Sequence, residues 1–314
     1  MIIDISREKN KMRLKLTMSA AVVVMACVSA AAEIVVCDQL KQTIDIYDDA
    51  GSNVWRWSAA DDPGIPGKFK AAFAGNVAEA KSVDGGEKIL MVSCGGRWAV
   101  VDRATCRAEA WGTNQGWSHS IELVGKGVVA VVSTGGGNSL FLFDISGEAA
   151  MKPELQKKSV LGFESPHGLH YDGKWLWLVD TPGLHRCALS RGKDGEPVAA
   201  VEKSWPFAPF GAADGHDLRP VPGTSLLAIT TNEKVLFFDM ATEKWREDLF
   251  VERVGVKGFD PSPDGKSFLV TTAKTKWWTD SLELCVLGEN GGKAVFSPFR
   301  TIPGARIYKA RWVK

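Results

Sequence analysis

The chain has 314 residues, 45% of them hydrophobic and 24% charged, with 38 basic and 37 acidic side chains. That length and apolar fraction exclude a disordered chain and admit one long domain or two ordinary ones. The near-neutral balance excludes a generally basic nucleic-acid binder.

The chain opens with a basic stretch (Arg7, Lys9, Lys11, Arg13, Lys15), an apolar run and small residues before Glu33. This order predicts a secretory signal over residues 1–32, cut near Ala32, with Met12 as an alternative start. The run is too short for a membrane span. Val24 to Cys27, VMAC, also fits a lipoprotein cleavage box, so the mature protein is expected to be released into the periplasm or medium, or else tethered at Cys27. Removing the five basic and two acidic residues of this segment leaves 33 against 35, a net charge near −2. Of the six cysteines, Cys37, Cys94, Cys106, Cys187 and Cys285 remain, with no CxxC spacing for zinc or a redox pair.

Beyond residue 32 helical periodicity is almost absent, and short β-branched and aromatic runs alternate with Gly, Asp and Pro turns. Six hairpins recur: EIVVCDQLKQTIDIYD, EKILMVSCGGRWAVVD, GVVAVVSTGGGNSLFLFD, KWLWLVDTPGLHRCAL, TSLLAITTNEKVLFFD and KSFLVTTAKTKWWTDSLELCVL. A further strand, commonly carrying a tryptophan, follows as in NVWRWS, AEAWG, VEKSW and EKWRE. A short segment leads each hairpin except the first: AKSVDG, SHSIEL, PHGLHYDG, GHDLRPVPG and VKGFDPSPDG. Four strands at this period predict an all-β, six-bladed β-propeller spanning 33–314 as one domain. The terminal RIYKARWVK supplies the strand that the first hairpin lacks and closes the ring. Residues 58 to 77 are too few, and too rich in Asp, Pro and Gly, for a seventh blade.

PSPDGKSFLV, residues 261 to 270, resembles the inner-strand turn of many propeller families, the tryptophan-aspartate repeats among them. Over its mature length, notably in IVVCDQ followed by IDIYD, the chain resembles uncharacterised secreted bacterial propellers grouped as a domain of unknown function. That resemblance implies export and a propeller fold and implies no activity.

Alignment of the leading segments on their apolar positions brings Lys81, His119, His167, His216, Lys257 and Lys309 to one place, expected at the channel mouth. Three histidines can ligate a divalent metal such as zinc, manganese or calcium. In having central histidines the chain is similar to oligogalacturonate lyases, through the logic of the ring and no continuous motif. Lysines oppose a metal, favour an anion and lower the proton affinity of neighbouring imidazoles. The surrounding loops add Arg97 and the aromatic rings of Trp117, Trp277 and Trp278, a platform for a pyranose face. The GGG at 135–137 lacks the Lys-Ser/Thr ending of a phosphate loop and reads as a hairpin turn. Asp48, Asp102, Asp144 and Asp239 read as turn starters.

These residues support three readings. The first is an exported binding protein that captures an anionic small molecule or acidic glycan, its charge paired by Lys81, Lys257, Lys309 and Arg97. The second is a metal-assisted lyase or epimerase on uronic acids, in which His119, His167 or His216 takes the proton. The third is a protein-interaction scaffold. Clustered titratable groups favour the enzyme, and the lack of a carboxylate at the ring positions opposes it. Neither oligomeric state nor disulfide pairing follows from the sequence.

Overall fold

The computed structural model describes residues 32–73, 76–125, 127–288 and 293–314, so all of the expected signal segment except Ala32 lies outside the described residues. Twenty-four strands form six four-stranded antiparallel sheets, the blades of a propeller. Blade 1 is closed by the C-terminus: Ile307–Trp312 pairs antiparallel with Ile34–Asp38, setting Ile34 opposite Trp312 and Val36 opposite Ala310. Blades 2 to 6 run in simple chain order, with inner strands Val77–Val83, Trp117–Leu123, Gly168–Tyr171, Asp217–Pro220 and Val256–Pro261.

Burial along the strands follows from stacking. Ile34–Asp38 and Thr43–Tyr47 are buried at every residue because both faces meet other blades. The outer Asn53–Trp57 alternates, burying only Trp55 and Trp57. The apolar core accordingly divides into six clusters, one at each boundary between neighbouring blades. Phe237, Phe259 and Phe268 fill the boundary of blades 5 and 6, and Trp177, Trp205 and Phe238 that of blades 4 and 5. The segment between blades 1 and 2 carries a short helix, Gly67–Phe73, whose Phe73 packs edge-on against Trp57 and Trp111. No helix among the described residues is long and apolar enough to cross a membrane.

Side chains of the inner strands tie the blades together at the axis. Glu79 of blade 2 accepts the Ile121 amide of blade 3, Asp217 of blade 5 the Phe259 amide of blade 6, and Asp260 of blade 6 the Trp312 amide of blade 1. Each carboxylate so used is buried and ion-paired. Arg311 Nη2 lies 2.6 Å from both Glu79 and Asp217, Arg219 Nε 2.6 Å from Asp260, and Lys81 Nζ 3.0 Å from Glu122. Burial alone would raise the Glu79 carboxyl, but Lys81, Lys309 and Arg311 together hold it well below the usual carboxylate range.

The expected turns are present. Asp48, Asp102, Asp144 and Asp239 each accept a backbone amide two to four residues on. Cys37, Cys94, Cys106, Cys187 and Cys285 are free thiols.

Candidate functional site

A cavity of about 650 Å³ opens at one end of the axis. The pairing registers make Ala78, His119, His167, His216, Lys257 and Tyr308 equivalent around the axis, and all but the buried Ala78 line the cavity floor. In four blades this place coincides with an irregularity that breaks the ladder: the register shifts across Ala78, His119 and Lys257, and again across the residues that pair blade 1 with its closing strand. Such a bulge turns one extra side chain away from the sheet, here toward the axis.

His119, His167, His216 and Lys257 therefore stand where alignment puts them, all four lining the cavity. Lys81 and Lys309 do not. Ala78 holds the place expected of Lys81, three residues earlier, and Tyr308 the place expected of Lys309, one residue earlier. The physical reason is that Ala80 and Ala310 occupy the inter-blade position held by Ile121, Leu169, Leu218 and Phe259 elsewhere. Alanine gives too weak an apolar signal to fix register. Lys81 and Lys309 are buried in the ion network, Lys309 lying 3.5 Å from Asp217 and 3.7 Å from Glu79.

The three imidazoles form a contiguous group, with ring centroids 4.3 Å apart for His119 and His167 and 5.0 Å for His167 and His216. Ser165, in left-handed conformation (φ 53°), turns its carbonyl to accept His167 Nδ1–H at 2.8 Å, which leaves Nε2 with its lone pair and no protein partner among the described residues. His119 Nδ1 and His216 Nδ1 are buried without partners. His216 Nε2 lies 2.6 Å from Lys257 Nζ and 2.7 Å from Asn232 Oδ1, and Asn232 is oriented by donating Nδ2–H to Asp214 at 2.8 Å.

Burial followed by its neighbours' charges keeps every imidazole neutral. His119 and His167 are held well below their ordinary value, each by burial and then by the adjacent histidine; burial and then Lys257 bring His216 to about 3. Burial likewise lowers Lys257, to about 8. Among the described residues no group of three His, Cys, Asp or Glu side chains is arranged to hold a metal ion. The ammonium at 2.6 Å from His216 further opposes a cation there.

Two tryptophans wall the mouth. Trp117 is 58% exposed, and its ring covers Gly135, where a Cβ would come within 2.6 Å of it, so the GGG turn serves as its support. Trp277 is 43% exposed and donates Nε1–H to Gln39 Oε1 at 3.0 Å. Trp278 lies outside the lining, half-buried under Arg306. Arg97 is also outside it, its Nη1 donating to the carbonyls of Gly95 and Gly96. His185 is bound on both sides, Nε2 to Asp180 and Nδ1 to Ser204, each at 2.8 Å, away from the cavity. Tyr308 and Asn232 are two site residues that alignment misses. A shift of one residue at the closing strand would have found Tyr308; Asn232 lies in a turn with no repeat to mark it.

Residues 17–314 match a family of unknown function, DUF6528. The chain belongs to that family. Among curated proteins no sequence relative is detected. This chain is similar to one in the nidogen/laminin complex (TM-score 0.60, 11% identity, 90% of this chain and 98% of that one). A second similar chain is in the mitotic checkpoint complex (0.57, 14%, 86% and 75%). A third is the Cps50 (Swd1) β-propeller domain of Myceliophteria thermophila (0.52, 13%, 84% and 81%). At these identities the likeness concerns the propeller fold alone.

Proposed function

We propose that this DUF6528 propeller binds a small organic acid in its axial cavity, an acidic saccharide in particular. One observation carries the reading: Lys257 is the only Lys, Arg, Asp or Glu in the cavity lining, and it has no carboxylate within ion-pair distance among the described residues. Other axial cations are committed, Lys81 to Glu122, Lys309 to Asp217 and Glu79, and Arg311 to Glu79 and Asp217. An unpaired ammonium facing neutral imidazoles in a partly dry cavity attracts an anion strongly. The exposed rings of Trp117 and Trp277 offer apolar faces for a pyranose. The volume suits one small ligand, whose sites span about 300–1,000 Å³. The basic-then-apolar N-terminus supports export, where such glycans occur.

Calorimetric titration with glucuronate, galacturonate and neutral glucose tests the reading. Saturable binding of the uronates, weaker binding of glucose, and loss of uronate binding in Lys257→Met are expected. Equal affinity for acid and neutral sugar, or full uronate affinity in Lys257→Met, would refute it.

A second reading is favoured by the bare Nε2 of His167. In it Lys257 neutralises a uronate carboxylate and His167 takes the proton from the adjacent carbon, as in a lyase or epimerase. New ultraviolet absorbance from an unsaturated product on acidic glycans, abolished by His167→Gln, is the expected sign. Binding without any product or epimer leaves only the first reading.

A further inference from the structure

We propose that Lys257 captures its ligand covalently: its amine condenses with the aldehyde or keto carbon of a small oxo acid held in the axial cavity. This inference rests on the cavity being a ligand site and names the class of acid it would take.

The setting of Lys257 differs from that of the other axial lysines. Lys81, Lys309 and Lys314 each have a carboxylate within reach, at 3.0, 3.5 and 3.6 Å, and none of the three lines the cavity. Lys257 instead meets an imidazole nitrogen at 2.6 Å and an amide oxygen at 3.4 Å. Neither neighbour fixes a charge on it, and both are rigidly held: Asn232 by Asp214, and His216 by Asn232. The amine is therefore positioned at the cavity wall while remaining free to lose its proton. Burial brings it to about 8, so that about a tenth is free amine at neutral pH, against a negligible share for an exposed lysine. Desolvation of a lysine in such surroundings is a recognised means of activating it toward carbonyl carbon.

The step balances without oxidant or reductant. The ammonium gives its proton to water, and the amine nitrogen forms a bond to the carbonyl carbon. The carbonyl oxygen takes one proton from the attacking nitrogen and one back from water and leaves as water, and a C=N bond takes the place of C=O. The protonated imine keeps the positive charge of Lys257, so a carboxylate on the neighbouring carbon stays paired after condensation. This favours 2-oxo acids, whose carboxylate adjoins the reacting carbon. His167 Nε2 and the Tyr308 hydroxyl, neither with a protein partner among the described residues, stand on the same floor to meet hydroxyl groups.

The test uses the full chain with glyoxylate or pyruvate as probe and glycolate as the control without a carbonyl, each with sodium cyanoborohydride. Digestion and mass spectrometry then locate reduced adducts. The expected result is an adduct on Lys257 at probe concentrations that leave exposed Lys276 unmodified, no adduct with glycolate, and protection of Lys257 by glucuronate. Because protection is read on the unaltered protein, the test does not depend on whether Lys257→Met folds. Modification of Lys276 as fast as Lys257, or no adduct on Lys257, overturns the inference. Calorimetric glucuronate binding without an adduct overturns the covalent step alone and leaves the cavity reading standing; absence of both overturns both.

Discussion

Arg311→Met should destabilise the propeller by about 3 kcal/mol. The guanidinium is fully buried and bridges two carboxylates from different blades, Glu79 and Asp217, at 2.6 Å each. Removing one partner of a buried ion pair costs about 3–5 kcal/mol, because the other charge is left desolvated. Lys309, at 3.5 and 3.7 Å from the same carboxylates, and Lys81, at 3.7 Å from Glu79, still offset part of that charge, which selects the lower end. At about 2–4 °C per kcal/mol for a domain of this order, Tm falls by about 10 °C. Acid should narrow the gap. Glu79 is held well below its ordinary range, so its contribution is complete above the unfolded carboxylate value and is lost as pH falls through the folded one. Without Arg311 the folded value rises toward the unfolded one. The variant therefore forfeits that contribution at neutral pH, and the difference shrinks once both proteins are protonated. Thermal melts of both proteins over a pH series make the comparison. A loss under about 1 kcal/mol at neutral pH, or a gap that does not shrink in acid, would refute the role given to the network.

Uronate affinity should fall as pH rises through about 8, since Lys257 loses its charge there, and calorimetry from pH 6 to 10 follows it. Lys81→Met should lower Tm, because Glu122 and Glu79 lose a buried partner, while leaving uronate affinity unchanged; an altered affinity would return Lys81 to the binding set. Gly116→Ala should lower both Tm and uronate affinity. Gly116 has φ +82°, an added Cβ would lie 2.1 Å from the Thr134 oxygen, and the displaced loop carries Trp117. Unchanged melting and binding in that variant would show that the turn does not set the tryptophan.

The blades were legible because stacking imposes one repeating pattern on every sheet. Each hairpin must bury both faces, so IVVC, ILMV and VVAVV are apolar without interruption, and their turns need Asp or Gly at fixed places. The closing strand was legible for a related reason: a first blade with only three strands leaves an edge that only the C-terminus can cover. Register at the axis was less so. It depends on one apolar residue per inner strand, and where that residue is Ala80 or Ala310 the adjacent lysines mark the repeat more strongly than the core does. The misplaced residues were thus the charged ones, Lys81 and Lys309, while His119, His167, His216 and Lys257 followed from a bulky residue two positions on: Ile121, Leu169, Leu218 and Phe259.

That division of the basic residues has a consequence for the chemistry of the site. The axis beneath the floor concentrates Glu79, Asp217 and Asp260 in a dry environment, and had these lain unpaired they would have offset any positive charge in the cavity above. Lys309 and Arg311 consume the charge of Glu79 and Asp217, and Arg219 that of Asp260. The cavity is thereby isolated from the acids below it. Three imidazoles that burial keeps neutral then form a floor that neither competes for an anion nor repels one, and Lys257 supplies the cationic charge of the lining. In that arrangement the lysines at 81 and 309 serve the fold through the buried network they neutralise, which is why their removal should be read in Tm and that of Lys257 in affinity.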